Sequence, residues 1–358
     1  MSGERIKLAR KKACLSLRGL ANKMRGLVSA QAIGKYERGE MLPGSDVLIA
    51  MSKALGVSQS YLLAAQGVQL GAVEFRTKAN TGAKDRARVE TEVIEWVERY
   101  LQIEEILELN SAAWECPVGM PRKLKGLDDA DKLADELRAA WKLGIDPIPN
   151  MTELLEEKGI KILLADLPEK VSGLTCFVKR PQRADAPVIV INRSKSLERR
   201  RLTMAHELGH RVIASNSESD IEKLCNRFAG AFLVTKEHLL KEFGERRSAI
   251  GVSEVMGLKR LYRVSAASFL MRLEQVGVLN RETIEYAFRT FANPWRTKEP
   301  NPLPIDGEQA RRFERLVYRA TAEDMISLSK AVELLRVPLV EVERGLKGPA
   351  QEHANHRQ

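Results

Sequence analysis

The sequence predicts a mainly α-helical chain with one small β-sheet, an α+β class built from more than one unit. Three observations lead there. Apolar residues recur at helical spacing through residues 1–66 and again through 86–143. Between 160 and 191 the pattern changes to short apolar or alternating runs bounded by Gly and Pro. After Asn192 the helical spacing returns. At 358 residues the chain exceeds one ordinary core, so two or three domains are expected.

Residues 1–66 read as five short helices. Ile6, Leu8 and Ala9 mark the first, and Leu17, Leu20, Ala21 and Met24 the second. Ser29 is an N-cap for a third over 30–38, with Ala32, Ile33 and Tyr36 inward and Gly39 as its stop. A fourth covers 45–55 before Gly56, and a fifth runs through Leu63. The weakly periodic stretch 67–85 reads as a linker. A long amphipathic helix follows over 86–109, with Val89, Val93, Trp96, Val97 and Tyr100 on one face. Prolines 117 and 121 break the chain before a helix at 129–143, capped by Gly144. Strands are expected at 160–164, 174–178 and 188–191. Helices are expected at 197–214 and 218–233, with a helical pair across 255–278. Four prolines make 293–307 an irregular connection, and 308–346 is helical again. This divides the chain into residues 1–66, a linker and connecting helix at 67–127, an α+β domain at 128–280, a helical C-terminal region at 281–346 and a polar tail at 347–358.

Composition excludes several classes. The four cysteines, Cys14, Cys116, Cys176 and Cys225, are scattered without a C-x-x-C pair, so neither a disulfide framework nor a cysteine-rich metal site is suggested. No signal-peptide pattern and no apolar run of membrane-spanning length is visible, so a cytoplasmic protein without membrane contact is expected. The net charge of +10 is uneven. Residues 1–66 hold eleven Lys and Arg against four Asp and Glu, the electrostatic footprint of a phosphate-binding surface.

His206 and His210 are four residues apart on a predicted helix. That spacing puts both imidazoles on one face, one turn apart, where they can share an ion. Glu207, beside the first, can take a proton from an attacking water and deliver it to a leaving amine. Together they form the H-E-x-x-H arrangement of zinc peptidases, and small Gly209 is expected to leave room near the metal. A catalytic zinc needs a third protein ligand. Glu222 on the next predicted helix is the first candidate, with Glu218 and Asp220 as rivals and His238 nearby. Asn226, one turn beyond Glu222, can hydrogen-bond a ligating imidazole from behind. Tyr262 is a candidate oxyanion donor.

The strand 188–192 ending in Asn, the helix 198–210 with His206-Glu207-Leu208-Gly209-His210, and the run Glu222 to Ala229 resemble the ImmA/IrrE metallopeptidases. The similarity covers roughly 130–275 and implies a zincin-like fold. It implies His206, His210 and Glu222 as ligands of one Zn2+ per chain and Glu207 as general acid/base. Cys225 stands where the family usually has Ala. The resemblance also implies cleavage or regulation of a partner repressor, rather than general proteolysis.

Segment 5–63 resembles the Cro/CI-type (XRE) helix-turn-helix family through Ser16 to Ala21, Ser29 to Gly39, Pro43 and Tyr61-Leu62. A helix N-terminus laid in the major groove offers its first residues to base edges. Gln31 suits adenine and Lys35 suits guanine or phosphate, while Arg18 and Ser29 are placed for phosphate. Ala30, Gly34 and Arg38 complete the expected DNA-facing set. The turn at 25–28 is about two residues longer than the common pattern, and Gly34 occupies a position that usually bears a side chain.

The expected function is a sequence-specific transcriptional regulator that binds double-stranded operator DNA as a homodimer and carries a zinc endopeptidase acting on a partner protein. The alternative is a DNA-binding repressor or antitoxin, paired with a toxin, whose metal site is structural or sensory.

Overall fold

The computed structural model describes residues 3–13, 15–57, 59–63, 69–70, 83–109, 114–180, 183–214, 218–305 and 308–347. The architecture is α+β as expected, mostly helix with a four-stranded sheet. No helix among the described residues is long and apolar enough to cross a membrane.

The N-terminal helices are α1 (Gly3–Lys12), α2 (Leu17–Lys23), α3 (Ala30–Arg38), α4 (Ser45–Leu55) and α5 (Gln59–Leu63). Ser16 and Ser29 cap α2 and α3 through their hydroxyls, and left-handed Gly39 and Gly56 close α3 and α4. Ile6, Leu20, Ile33, Met51 and Leu62 fill one small core. Arg10 forks onto both oxygens of Glu37, tying α1 to α3.

Part of the expected linker joins the sheet: β1 (Gln69–Leu70) pairs with a later strand. The connecting helix α6 (Ala83–Ile106) starts and ends three residues earlier than the periodicity suggested. Its C-terminal end is closed by left-handed Glu108, with Leu109 N donating to the Glu104 carbonyl at 3.0 Å. After it come β2 (Arg122–Lys123), α7 (Leu127–Ala140), α8 (Met151–Glu157), β3 (Lys161–Ala165), β4 (Gly173–Arg180) and β5 (Arg183–Asn192). The site helices α9 (Leu197–Val212) and α10 (Glu218–Leu233) flank β6 (Ile213–Ala214), which pairs with β2. Then come α11 (Lys236–Phe243), α12 (Val252–Tyr262), α13 (Ala266–Val276) and α14 (Arg281–Thr290). A 3-10 turn follows over Asn293–Arg296, and the chain ends in α15 (Arg312–Ala322), α16 (Leu328–Leu335) and α17 (Leu339–Leu346).

The sheet order is β1-β4-β5-β3, with β3 parallel to β5 and the other pairs antiparallel. Strand periodicity gives each face its own core. Val188 and Val190 of β5 pack with Val89, Val93 and Val97 of α6, whereas Ile189 and Ile191 pack with Met204, Ala205 and Leu208 of α9. Helix α10 lies against both α7 and α9. A second side of α6 buries Tyr100, Ile103 and Leu107 under Phe313, Val317 and Leu334 of the C-terminal helices. The N-terminal helices dock on α6 too, where Arg5 pairs with Glu98 at 2.8 Å.

Beneath these helices is a buried polar cluster. Lys161 Nζ meets Glu104 at 2.6 Å, Arg312 meets the same carboxylate at 2.8 Å, and the Tyr100 hydroxyl is 3.1 Å from Glu156. Burial pushes the Glu156 carboxyl up to about 8, helped by nearby Glu153. The folded chain therefore keeps a proton that the unfolded chain, at its ordinary value near 4.5, has released. Stability from this group is full at low pH and is lost as pH rises through that window. Glu156→Gln should stay nearly as stable at pH 8.5 as at pH 6.5, while the wild type loses stability; parallel thermal unfolding curves would show that Glu156 is ionised throughout.

Candidate metal centre and nucleic-acid interface

Helix α9 bears the His-Glu pair, and it is buried along most of its length despite its charges. Each buried charge has a fixed partner. Glu198 accepts from Lys259 at 2.9 Å, and Lys259 also meets Glu299 at 2.7 Å. Arg201 pairs with Glu308, both fully buried, and donates to the Ile148 carbonyl at 2.8 Å. Arg211 donates to the Cys176 carbonyl at 2.8 Å and lies over the Phe177 ring. These contacts set the helix's rotation, and with it the direction of His206 and His210.

The two imidazole Nε2 atoms face each other at 3.1 Å. Glu222, on α10, reaches both, with carboxylate oxygens 3.3 Å from His206 Nε2 and 3.7 Å from His210 Nε2. Among the described residues these three form the metal-competent cluster. Donors around one tetrahedral zinc at about 2.0–2.1 Å stand roughly 3.3 Å from one another. The two nitrogens and the Glu222 carboxylate, one oxygen towards each imidazole, thus come close to the spacing and match the chemistry that zinc takes. Asn226, one turn beyond Glu222, has its Oδ1 2.9 Å from His206 Nδ1. With that oxygen as acceptor, Nδ1 bears the proton and Nε2 keeps its lone pair. His210 Nδ1 is buried without a hydrogen-bond partner, so only one imidazole is oriented from behind.

A cleft of about 240 Å3 opens onto His206, Glu207, Glu222 and Asn226. Glu207 is almost wholly buried at its floor. Leu202 and Thr203 also line it, as do Lys170, Ser172, Gly173 and Arg199. Sequence reasoning missed these four. Arg199 was findable, because it precedes His206 by seven residues and so shares its helical face. Lys170 and Ser172 reach the cleft only through the loop that Asn192 pins, by donating to the Leu167, Pro168 and Val171 carbonyls.

Other expectations turn out differently. Tyr262 is not at the cleft. It is fully buried on the inner side of α12, stacked on Phe269, with its hydroxyl 2.7 Å from His238 Nδ1. Burial pushes its phenol upward, and a group shielded in this way cannot serve as an oxyanion donor. The same contact holds His238 away from the cluster. Asp220 is exposed and outside the cluster; the side chain of Glu218 lies outside the described part. Gly209 does not make room for a metal. A Cβ there would meet Cys225 and Phe228 at 3.2 Å, so the glycine instead lets α9 and α10 approach closely.

At the N-terminal end, a shallow concavity between α2 and α3 is lined by Arg18, Ala30, Gln31, Gly34, Lys35 and Arg38, together with Ser16 and Leu17. Ser29 stands at its edge as the α3 cap, its hydroxyl accepting from Ala32 N at 3.1 Å. Gly34 is buried, and a Cβ there would meet the Arg38 guanidinium at 3.3 Å and Leu17 at 3.7 Å. Arg38 is exposed and pairs with Glu40, a contact too solvent-screened to hold it firmly. Residues 24–29 connect the two helices, with Arg25 and Gly26 both left-handed.

Comparison with protein families agrees with both parts. A family described as the IrrE N-terminal-like domain, of peptidase type, matches residues 155–274, and a helix-turn-helix family matches residues 6–62. The chain thus joins an XRE-type helix-turn-helix, a DNA-binding module, to an IrrE/ImmA-like domain. No curated protein matches it.

Because Cys225 and Phe228 are fully buried, they have little room to yield to an added methyl group. Gly209→Ala should lower unfolding stability by about 1–3 kcal/mol in urea titrations. An unchanged midpoint would mean that α10 shifts without cost.

Proposed function

We propose that this chain is a sequence-specific transcriptional regulator whose central domain is a zinc-dependent endopeptidase acting on a partner regulatory protein. The observation that supports this best is the convergence of His206, His210 and Glu222 beside buried Glu207 in an open cleft. His206 Nε2, His210 Nε2 and Glu222 would hold one Zn2+, which supplies Lewis-acid polarisation of a peptide carbonyl. Glu207 takes the proton of the attacking water and passes it to the leaving nitrogen. Asn226 keeps His206 in the tautomer that presents Nε2. Lys170 and Arg199, which line the cleft, favour acidic side chains near the scissile bond.

In the N-terminal module, Arg18 and Ser29 contact phosphate, Gln31 and Lys35 read base edges, and Ala30, Gly34 and Arg38 complete the surface. One such module reads too few bases for useful specificity, so it acts as a homodimer. Residues 1–66 form the DNA-binding unit and 128–280 the peptidase unit.

Two measurements test these roles. Elemental analysis should find about one zinc per wild-type chain and none in His206→Ala or Glu222→Ala. Glu207→Gln should keep metal and DNA binding, yet abolish cleavage of the partner when proteomes of cells expressing either form are compared. If Glu207→Gln leaves regulation intact, the metal is structural or sensory. For DNA, Arg18→Ala should weaken binding equally across sequences and reduce the salt slope by about one, whereas Gln31→Ala should relax preference at one base pair by about 1–3 kcal/mol.

A further inference from the structure

A second cavity lies away from the His206-His210-Glu222 cluster. It measures about 760 Å3 and lies between α6, β3, the start of α9 and the C-terminal helices α15 and α16. That volume falls within the range of small-molecule sites. Five arginines line it: Arg99, Arg193, Arg200, Arg311 and Arg336. Among the described residues, Arg336 is the one of these five with a carboxylate partner, Glu95 at 2.9 Å. Arg99 donates to the carbonyls of Glu95 and Leu334, Arg193 to that of Leu164, and Arg200 to those of Lys195 and Arg193. The remaining Nη of Arg200 is buried and makes no hydrogen bond.

Guanidinium groups gathered at a partly buried wall repel one another unless an anion sits among them. Burial and the neighbouring Arg336 bring Arg99 down to about 10, and burial together with Arg193 lowers Arg200. Glu92 and Glu314 also line the cavity but pair with none of the five. Trp96 and Phe313, tilted against each other, give it an aromatic wall.

We infer that this cavity binds a small phosphorylated molecule with a planar ring. Several guanidinium forks around one space suit the oxygens of a diphosphate, which carries several charges on a compact group. The half-buried Trp96 offers a surface for the ring. The site has a particular place in the fold. Glu95, Trp96 and Arg99 surround Glu98 on α6, the residue to which Arg5 of the DNA-binding module is paired. Arg200 lies on the same helix as His206. A ligand here touches the elements that hold both sites, and nothing in this inference depends on peptidase activity.

The test is calorimetric titration of the full chain with inorganic pyrophosphate and with adenosine 5′-diphosphate, beside Trp fluorescence. The expected result is saturable binding of both, with fluorescence quenching by the nucleotide. Arg193→Ser combined with Arg311→Ser changes two exposed arginines that hold no carboxylate and should fold normally. It should weaken both ligands about tenfold or more. Arg18→Ser with Lys35→Ser, on the DNA-facing surface, and His206→Ala, at the metal cluster, should leave binding unchanged. The inference is overturned if neither ligand saturates, if Arg193→Ser with Arg311→Ser binds like wild type, or if binding disappears with either control.

Discussion

Everything at the metal cluster depends on holding a charged helix inside the protein. Helix α9 buries Glu198, Arg200, Arg201, Glu207 and Arg211. An unpaired charge at such depth is costly enough to unfold a marginal domain, so each one dictates what must stand opposite it. Lys259, which it shares with Glu299, answers Glu198, Glu308 answers Arg201, and the β4 carbonyl at Cys176 answers Arg211. These partners come from segments far apart in sequence. They leave α9 one rotation and one axial position, and His206 and His210 inherit their aim from that constraint.

The opposite helix contributes by shape rather than by charge. Gly209 offers no Cβ, so Cys225 and Phe228 of α10 come within van der Waals contact of the α9 backbone. This closeness brings Glu222 and Asn226, on the same face of α10, to the two imidazoles. A wider helix pair would leave the carboxylate out of reach. The close packing of two helices and the tight spacing of three donor atoms are one geometric fact.

Helix α6 has a comparable role for the whole chain. One side lies on the sheet, another receives the C-terminal helices, and Glu98 takes Arg5 of the N-terminal module. A helix with polar Glu92, Glu95, Glu98 and Arg99 among its apolar positions cannot bury a single stripe. It is shared between two cores and the docked N-terminal module, and Glu92, Glu95, Glu98 and Arg99 either pair across the junctions or line the arginine-rich cavity. The helix-turn-helix module and the IrrE/ImmA-like domain are therefore joined through packed contacts as well as through chain connectivity.

The sequence by itself determined the local features. Ser29 and Gly39 bounded helix α3, alternating apolar residues marked β3, β4 and β5, and the four-residue spacing of His206 and His210 put both on one face. Such features follow from backbone periodicity and capping, which act within a few residues. Tertiary structure decided whatever required distant segments to meet. It joined Gln69–Leu70 to the sheet, brought Lys170 and Ser172 to the cleft through the hydrogen bonds of Asn192, and turned Tyr262 inward to His238. It also gave Gly209 to helix packing and gathered arginines from residues 99 to 336 around one cavity. Spacing along the chain says which residues share a face; only burial, with its demand that every charge and polar group find a partner, determines what that face meets.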